Sequence, residues 1–225
     1  MQRDYPGGRR PTDVYFFATC LVDLFCPEAG MDAIQLLERE GIRVHFPADQ
    51  TCCGQPAYTS GYADEARAVA KVQLGLFPND WPVIVPSGSC AGMMRHHYPK
   101  LFAGDAALQA KAEALAERVF ELTEFFVKVL KVNWKGRGNA KKVALHTSCS
   151  ARREMGTHLH ARELLAQLGN VELLNHSHES ECCGFGGTFA VRQPDISASM
   201  AGDKADALKE TGAEQFVSAD GGCLM

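Results

Sequence analysis

The sequence contains the same short element twice, as Cys52-Cys53-Gly54 and again as Cys182-Cys183-Gly184. Each doublet has one cysteine upstream and one downstream, separated from it by 32 and 37 residues in the first set and by 33 and 40 in the second. The two sets contain eight of the nine cysteines, namely Cys20, Cys52, Cys53 and Cys90, and then Cys149, Cys182, Cys183 and Cys223. Such a repeat predicts two related units that each gather four thiols.

The composition places the chain among ordinary globular proteins. It has 225 residues, of which 46% are hydrophobic and 22% are charged, and its net charge is −4. This balance excludes a general nucleic-acid binder and a protein that binds anionic membranes by charge alone. Residues 1–11 lack the apolar core of a secretory signal, and no apolar run predicts membrane insertion. We therefore expect a cytoplasmic protein that meets a membrane only through partners, in which cysteines serve as metal ligands or redox thiols.

The pattern around the cysteines predicts an α/β fold. Each half reads strand, cysteine, helix, strand, Cys-Cys-Gly, helix, strand, cysteine. The predicted strands are residues 14–19, 42–46 and 83–85 in the first half, and residues 143–145, 171–174 and 216–217 in the second. Alternating strands and helices indicate parallel pairing with right-handed crossovers, so we expect two three-stranded, Rossmann-like units. All eight cysteines then lie at the carboxyl ends of strands, where such sheets bind ligands.

A helical insert is predicted between the two units. Leu108, Leu115, Val119 and Leu122 form an apolar stripe within residues 105–131, with Thr123 as the cap of a second short helix. Because a polar, glycine-containing linker follows, we expect the first unit to span residues 1–132 and the second residues 133–225.

Four thiolates bind either a zinc ion or an iron–sulfur cluster. Adjacent cysteines suit a cluster better than a single zinc ion, because separate irons can each take one sulfur. Zinc remains an alternative, and so does a metal-free switch in which each doublet forms a strained, labile disulfide. The dithiol interpretation does not explain why each doublet has an upstream and a downstream cysteine.

Four glycines beside the doublets are candidate cofactor-binding residues: Gly54, Gly184, Gly186 and Gly187. We expect them to bring backbone N–H groups close to sulfur, since they match neither a P-loop nor a dinucleotide fingerprint. Cys26, six residues after Cys20, could be a fifth ligand of the first site, but a plain buried thiol is the expected outcome. His146, His176 and His178 are candidates for iron ligation, although solvated or hydrogen-bonded histidines are more common. No set of residues predicts a catalytic base, so catalytic residues are left unassigned.

Several motifs together resemble one known family. They are Thr19-Cys20-Leu21-Val22-Asp23, Thr51-Cys52-Cys53-Gly54-Gln55-Pro56, Pro86-Ser87-Gly88-Ser89-Cys90, His146-Thr147-Ser148-Cys149, Cys182-Cys183-Gly184-Phe185-Gly186-Gly187-Thr188-Phe189 and Asp220-Gly221-Gly222-Cys223-Leu224-Met225. The chain resembles the cysteine-rich CCG family, which is related to one of the subunits of heterodisulfide reductase. Within it, the likeness is to the iron–sulfur proteins of L-lactate utilisation complexes, and it covers the whole chain.

The resemblance implies an electron-transfer subunit of a complex that oxidises L-lactate to pyruvate. The subunit is not expected to be catalytic on its own. It implies two partners in the lactate utilisation complex, a ferredoxin-like iron–sulfur protein and a third protein, and clusters of the [4Fe-4S] type. The heterodisulfide-reductase pattern ends in Cys-x-x-Cys, whereas Met93 stands three residues after Cys90 and the sequence stops at Met225. We therefore expect four-cysteine sites, with zinc in one of them as the alternative. Relatives that oxidise glycolate, glycerol-3-phosphate or succinate share the pattern.

Overall fold

A computed structural model describes residues 8–225, so the prediction about a signal segment lies mostly outside the described residues. The strands are β1 Asp13–Phe16, β2 Arg43–His45, β3 Val83–Val85, β4 Val119–Glu121, β5 Lys141–His146, β6 Val171–Leu174 and β7 Gln215–Ser218. The α-helices are α1 Cys20–Phe25, α2 Pro27–Arg39, α3 Gln55–Thr59, α4 Ala63–Leu74, α5 Gly88–Gly92, α6 Tyr98–Leu101, α7 Ala106–Arg118, α8 Leu122–Glu124, α9 Thr157–Gln167, α10 Thr188–Arg192 and α11 Pro194–Lys209. The π-helical segments are Met93–His97, Phe125–Leu130 and Ala151–Met155, and Gly221–Cys223 forms a 3₁₀ turn.

The first sheet is parallel and has the strand order β2-β1-β3-β4. Its strands alternate between two cores because successive side chains point to opposite faces. Tyr15 and Val83 pack in one hydrophobic cluster, whereas Phe16 and Ile84 pack in the other. The central strand β3 is therefore buried on both faces, as expected of a parallel sheet covered by helices.

The second sheet is also parallel, with the order β6-β5-β7. This order repeats β2-β1-β3 of the first sheet, so the first strand of each unit lies between the other two. The predicted α/β fold with two parallel-sheet units is confirmed. In each unit the cysteines follow the carboxyl ends of the three shared strands, so both sites lie at equivalent sheet edges.

The prediction of three strands per unit is wrong for the first sheet. The supposed helical insert, residues 105–131, contains β4, which pairs with β3 in the register Ile84↔Phe120. Val119 therefore belongs to a strand and not to the apolar stripe of α7. All three residues of β4 are buried, and the β-branched and aromatic side chains of Val119 and Phe120 suit a buried strand edge better than a helix surface.

The predicted helix cap at Thr123 is also wrong. Glu121 precedes α8, and its carboxylate accepts hydrogen bonds from the backbone N–H groups of Thr123 and Glu124 at 2.9 and 3.1 Å. Glu124 completes a capping box by accepting from the Glu121 backbone N–H at 3.4 Å. The end of β4 thus determines where the helix begins.

Candidate metal centres

The first site is assembled by three strand ends. Cys20 begins α1 after β1, the Cys52-Cys53 pair lies in the loop between β2 and α3, and Cys90 lies in α5 after β3. The Cys53 and Cys90 sulfurs are 3.2 Å apart, and the Cys20 thiol is hydrogen-bonded to Cys52. The structure therefore brings together the four predicted cysteines of this unit, with the upstream cysteine against the first member of the doublet and the downstream cysteine against the second.

The contacts between thiols set their pKa values in the first site. The hydrogen bond with Cys52, together with burial, raises the pKa of Cys20 far above its ordinary value. The same contact lowers the pKa of Cys52 to about 3, so this sulfur is a thiolate at neutral pH. Contact with Cys52 and Cys90, and complete burial, raise the pKa of Cys53. A cation bound through these sulfurs would displace the protons that Cys20 and Cys53 retain.

The backbone around the first site is held in unusual conformations. Gly54 has a φ of +85° and donates its N–H to the Cys52 sulfur at 3.4 Å. The buried Tyr98 hydroxyl donates to the Cys53 carbonyl at 2.9 Å. Thr19 has a φ of +68°, which is rare for a β-branched residue and places strain directly before Cys20. These features fix the direction in which the cysteines leave the chain.

The second site repeats the arrangement. Cys149 follows β5, the Cys182-Cys183 pair follows β6, and Cys223 lies in the 3₁₀ turn after β7. The Cys149 and Cys182 sulfurs are 3.9 Å apart, and Cys183 contacts both Cys182 and Cys223. Gly184 donates its N–H to the Cys182 sulfur at 3.4 Å, as Gly54 does to Cys52. Both units therefore use one geometry to gather four sulfurs.

The thiol pKa values of the second site follow the same scheme. Contact with Cys149 and then Cys183 lowers the pKa of Cys182 to about 2, while contact with Cys182 raises the pKa of both Cys149 and Cys183. Contact with Cys183 lowers the pKa of Cys223 to about 6 against the opposing effect of burial, and the nearby His146 ring adds to the lowering. The Cys182 and Cys223 sulfurs are thus thiolates near neutral pH, the form that binds a cation.

The three glycines within residues 184–187 differ in their surroundings. Gly184 has a φ of +88°, and a Cβ atom there would lie 2.5 Å from the Ser197 carbonyl oxygen, so this position requires glycine. Gly186 and Gly187 also have positive φ, and they lie against Phe189 and Pro56, respectively. Within residues 8–225, neither of these two donates a hydrogen bond to a cysteine sulfur. Their cofactor-binding role stays a prediction.

Most of the candidate histidines have ordinary partners. His176 is hydrogen-bonded to the Leu145 carbonyl at 3.3 Å, and His178 pairs with Glu181 at 2.8 Å on the surface. His146 differs: it is 2% exposed, and neither ring nitrogen has a hydrogen-bond partner among the described residues. Cys26, expected to be buried, is half-buried at the junction of α1 and α2.

Asp220 is a residue that the sequence reasoning missed. Its buried carboxylate accepts hydrogen bonds from the Ser87 and Ser89 hydroxyls at 3.0 and 2.9 Å, from the Ser89 N–H at 2.9 Å and from the Ser148 hydroxyl at 3.0 Å. Burial raises its pKa, against the effect of these bonds. Ser89 precedes Cys90 and Ser148 precedes Cys149, so one carboxylate joins the loops that carry cysteines of both sites. The repeated serines before the cysteines were the available signal.

The two units also pack tightly beside Asp220. The Gly88 N–H donates to the Ala219 carbonyl at 3.0 Å, and a Cβ atom at Gly88 would lie 2.2 Å from that of Ala151. Glu154 of the second unit accepts from His97 of the first at 3.2 Å. The cysteine loops therefore belong to one continuous interface.

A cavity of about 340 Å³ adjoins the first site. Cys20 and Cys52 contribute to its wall, together with Asp23, Leu24 and Phe46. Leu24 and Phe46 are largely exposed. The first site is thus accessible from one side, although Cys53 and Cys90 are buried.

The donor sets fit a thiolate-bound metal group. Each set offers four soft sulfur ligands at short separations, and each receives a backbone N–H on one sulfur, a contact typical of iron–sulfur sites. The unpartnered His146 adds a nitrogen donor to the second set.

Two four-thiol sites on repeated parallel sheets define a duplicated cysteine-rich domain. The profile of the CCG family, described as a cysteine-rich domain, matches residues 14–95 and 143–225, once in each unit. The chain belongs to this CCG cysteine-rich domain family, which confirms the predicted family.

Proteins named lactate utilization protein A are similar to this chain over nearly its whole length. The protein from Geobacillus sp. (strain WCH70) is 43% identical over 212 residues, which is 94% of this chain and 89% of the relative. That from Shouchella clausii (strain KSM-K16) is 43% identical over 213 residues, with 95% and 89% covered. Lactate utilization protein A 2 of Bacillus cereus (strain Q1) is 41% identical over 213 residues, with 94% and 88% covered. Among the described residues, no helix is both long and apolar enough to cross a membrane.

Proposed function

We propose that the chain is the iron–sulfur electron-transfer subunit of a complex that oxidises L-lactate to pyruvate. The observation that carries this proposal is the pair of equivalent four-thiol sites in a chain similar to lactate utilization protein A over 94% of its length. A single structural metal would not require two such sites, whereas an electron path uses several centres in sequence. Lactate, rather than glycolate or another hydroxy acid, is proposed from the names of these relatives.

The ligands of the two clusters would be the eight repeated cysteines. Cys20, Cys52, Cys53 and Cys90 would hold the first, and Cys149, Cys182, Cys183 and Cys223 the second. When bound, [4Fe-4S] clusters would accept and release single electrons. The protein would supply the thiolates, the Gly54 and Gly184 N–H groups that stabilise negative charge on sulfur, and a buried setting that lowers the dielectric. The Asp220 network would keep the two centres at a fixed separation.

Partners complete the reaction in this proposal. We propose a division of labour, in which lactate is oxidised on another protein of the complex and this chain carries the electrons. A ferredoxin-like iron–sulfur protein and a third protein of the lactate utilisation complex are the proposed partners. We also propose a cytoplasmic location and a unit boundary between residues 132 and 133.

The test is reduction of this protein by lactate. The complex is assembled anaerobically from its component proteins, and the absorption near 400 nm is followed after L-lactate is added. The proposal expects no bleaching with D-lactate. With L-lactate it expects more bleaching than in a complex built with the Cys53→Ser, Cys183→Ser double variant, in which only the clusters of the partner can bleach. A chain that binds iron but is not reduced in the assembled complex would contradict the lactate function.

Zinc in the second site is the second candidate. One nitrogen of His146 and the sulfurs of Cys183 and Cys223 lie within 4.8 Å of one another, a spacing that suits a single ion after a small contraction. This structural role predicts stoichiometric zinc, no EPR signal from that site after reduction, and loss of complex assembly on chelation. A vicinal-dithiol switch instead predicts metal-free protein with a titratable disulfide.

A further inference from the structure

His146 occupies a position where a polar side chain is costly. It is the last residue of β5, its backbone pairs with Ser218 of β7, and its side chain is 2% exposed. Neither Nδ1 nor Nε2 has a hydrogen-bond partner within residues 8–225. A buried polar group without a partner costs about 1–3 kcal/mol, and most such groups in native proteins are satisfied. The nearest ligand atoms to the ring are sulfurs of the second site, so a partner that it shares with them would satisfy it.

The partner can be located from the sulfurs around the ring. A ring nitrogen of His146 lies within 4.8 Å of both the Cys183 and the Cys223 sulfur, and these two sulfurs lie within the same distance of each other. Ligands of one ion are about 3.5 Å apart when metal–nitrogen and metal–sulfur bonds are about 2.0 and 2.3 Å. Ligands on neighbouring irons of a cluster are further apart. The observed spacing is compatible with either arrangement.

The first site supplies an internal comparison. Phe17 stands three residues before Cys20, as His146 stands three residues before Cys149. Phe17 is fully buried and packs in the cluster that contains Cys53 and Cys90. The fold therefore needs only an aromatic ring at this place. The nitrogen atoms of His146 are an addition that packing does not explain.

We propose that His146 is a nitrogen ligand of the metal group in the second site, bound beside Cys183 and Cys223. The second centre then has mixed cysteine and histidine coordination, whereas the first is coordinated by cysteine alone. The proposal rests on the metal-binding part of the proposed function. A neutral imidazole adds a ligand without adding negative charge, so a thiolate in its place would lower the reduction potential of the second centre.

The ligand is tested by pulsed EPR of the anaerobically purified, dithionite-reduced protein. Cells grown with ¹⁵N-histidine yield a sample in which a directly bound imidazole gives a strong ¹⁵N coupling in place of ¹⁴N. The coupling is expected in the wild type and in His178→Ala, whose ring is exposed. The coupling should vanish in His146→Phe, because phenylalanine, the residue that the first site has at this position as Phe17, carries no nitrogen in its ring.

Two further readouts separate a ligand from a packing residue. His146→Phe should lose iron from the second site to a chelator roughly tenfold faster or more, since even outer-shell changes cost 10–100-fold in metal affinity. His146→Cys, which restores a donor, should retain iron but shift the midpoint potential of the second centre downward.

The outcomes distinguish this inference from the proposed function. The assignment of His146 as a ligand fails, and the proposed function stands, in either of two cases. One is iron in the second site without a histidine-nitrogen coupling, and the other is a coupling that survives in His146→Phe. Wild-type protein with no metal in the second site overturns both. Zinc in that site, lost in His146→Phe, overturns the iron–sulfur function alone.

Discussion

The two sites share one arrangement of sulfurs and backbone but differ in the side chains that surround the sulfurs. In both, the upstream cysteine contacts the first member of the doublet, the downstream cysteine contacts the second, and the glycine N–H donates to the first sulfur. In the first, Cys53 and Cys90 are buried beside Phe17, whereas in the second all four cysteines are half-buried beside His146. The repeated strand ends therefore position the ligands, and the neighbouring side chains make the two centres chemically distinct.

Replacing one cysteine of a doublet should have the largest effect. Cys53→Ser should abolish the cluster of the first site and Cys183→Ser that of the second, because serine is a poor ligand for iron. Each variant is expected to retain about half of the wild-type iron. Iron analysis and EPR after reduction measure this, and Cys26→Ser is the matched control that should keep the full content. Loss of all iron in both variants would show that the two sites are not independent.

The glycine that follows each doublet allows a paired test of the backbone conformation that the two sites share. Both Gly54→Ala and Gly184→Ala impose a left-handed conformation on alanine, which costs about 1–2 kcal/mol. The new Cβ would lie 3.3 Å from the Ala66 oxygen in the first site but 2.5 Å from the Ser197 oxygen in the second. Gly184→Ala should therefore lower the free energy of unfolding by more than Gly54→Ala does. Equal losses in chemical denaturation would contradict the closer packing at Gly184.

Asp220→Asn tests the connection between the two sites. An asparagine oxygen still accepts hydrogen bonds, but its amide group cannot accept those that the Ser89 N–H and the Ser148 hydroxyl now donate. The loss should be about 1–3 kcal/mol of unfolding free energy. Thermal denaturation measures it, with Asp206→Asn on the surface as the control. An unchanged stability would mean that the network does not hold the units together.

The last prediction is confined to one pH interval and concerns the strand that only the first sheet has. Burial raises the pKa of Glu121 in β4 to about 7. Native protein therefore holds one more proton than unfolded protein between pH 4.5 and 7. The contribution of Glu121 to the free energy of unfolding falls as the pH rises through this interval, by on the order of 3 kcal/mol at most. Glu121→Gln should flatten that slope in denaturation curves, whereas the exposed Glu38→Gln should not. A slope that persists in Glu121→Gln would assign it to another group.

The sequence was sufficient to predict the α/β class, the two sheets and the strand ends that carry the cysteines, because the repeated spacing and the apolar runs are local signals. It was not sufficient for β4, where Val119 and Leu122 fit a helical stripe and only pairing with β3 selects a strand. Asp220 was missed because its serine partners are 72 and more residues away. The isolation of His146 depends on packing around it, which no local pattern contains.

Iron, acid-labile sulfide and zinc in the anaerobically purified wild-type protein test the central claim most directly. The account predicts about eight irons and eight sulfides per chain, as two [4Fe-4S] clusters require, together with a broad absorption near 400 nm. Protein that contains only zinc, or neither metal, would contradict it.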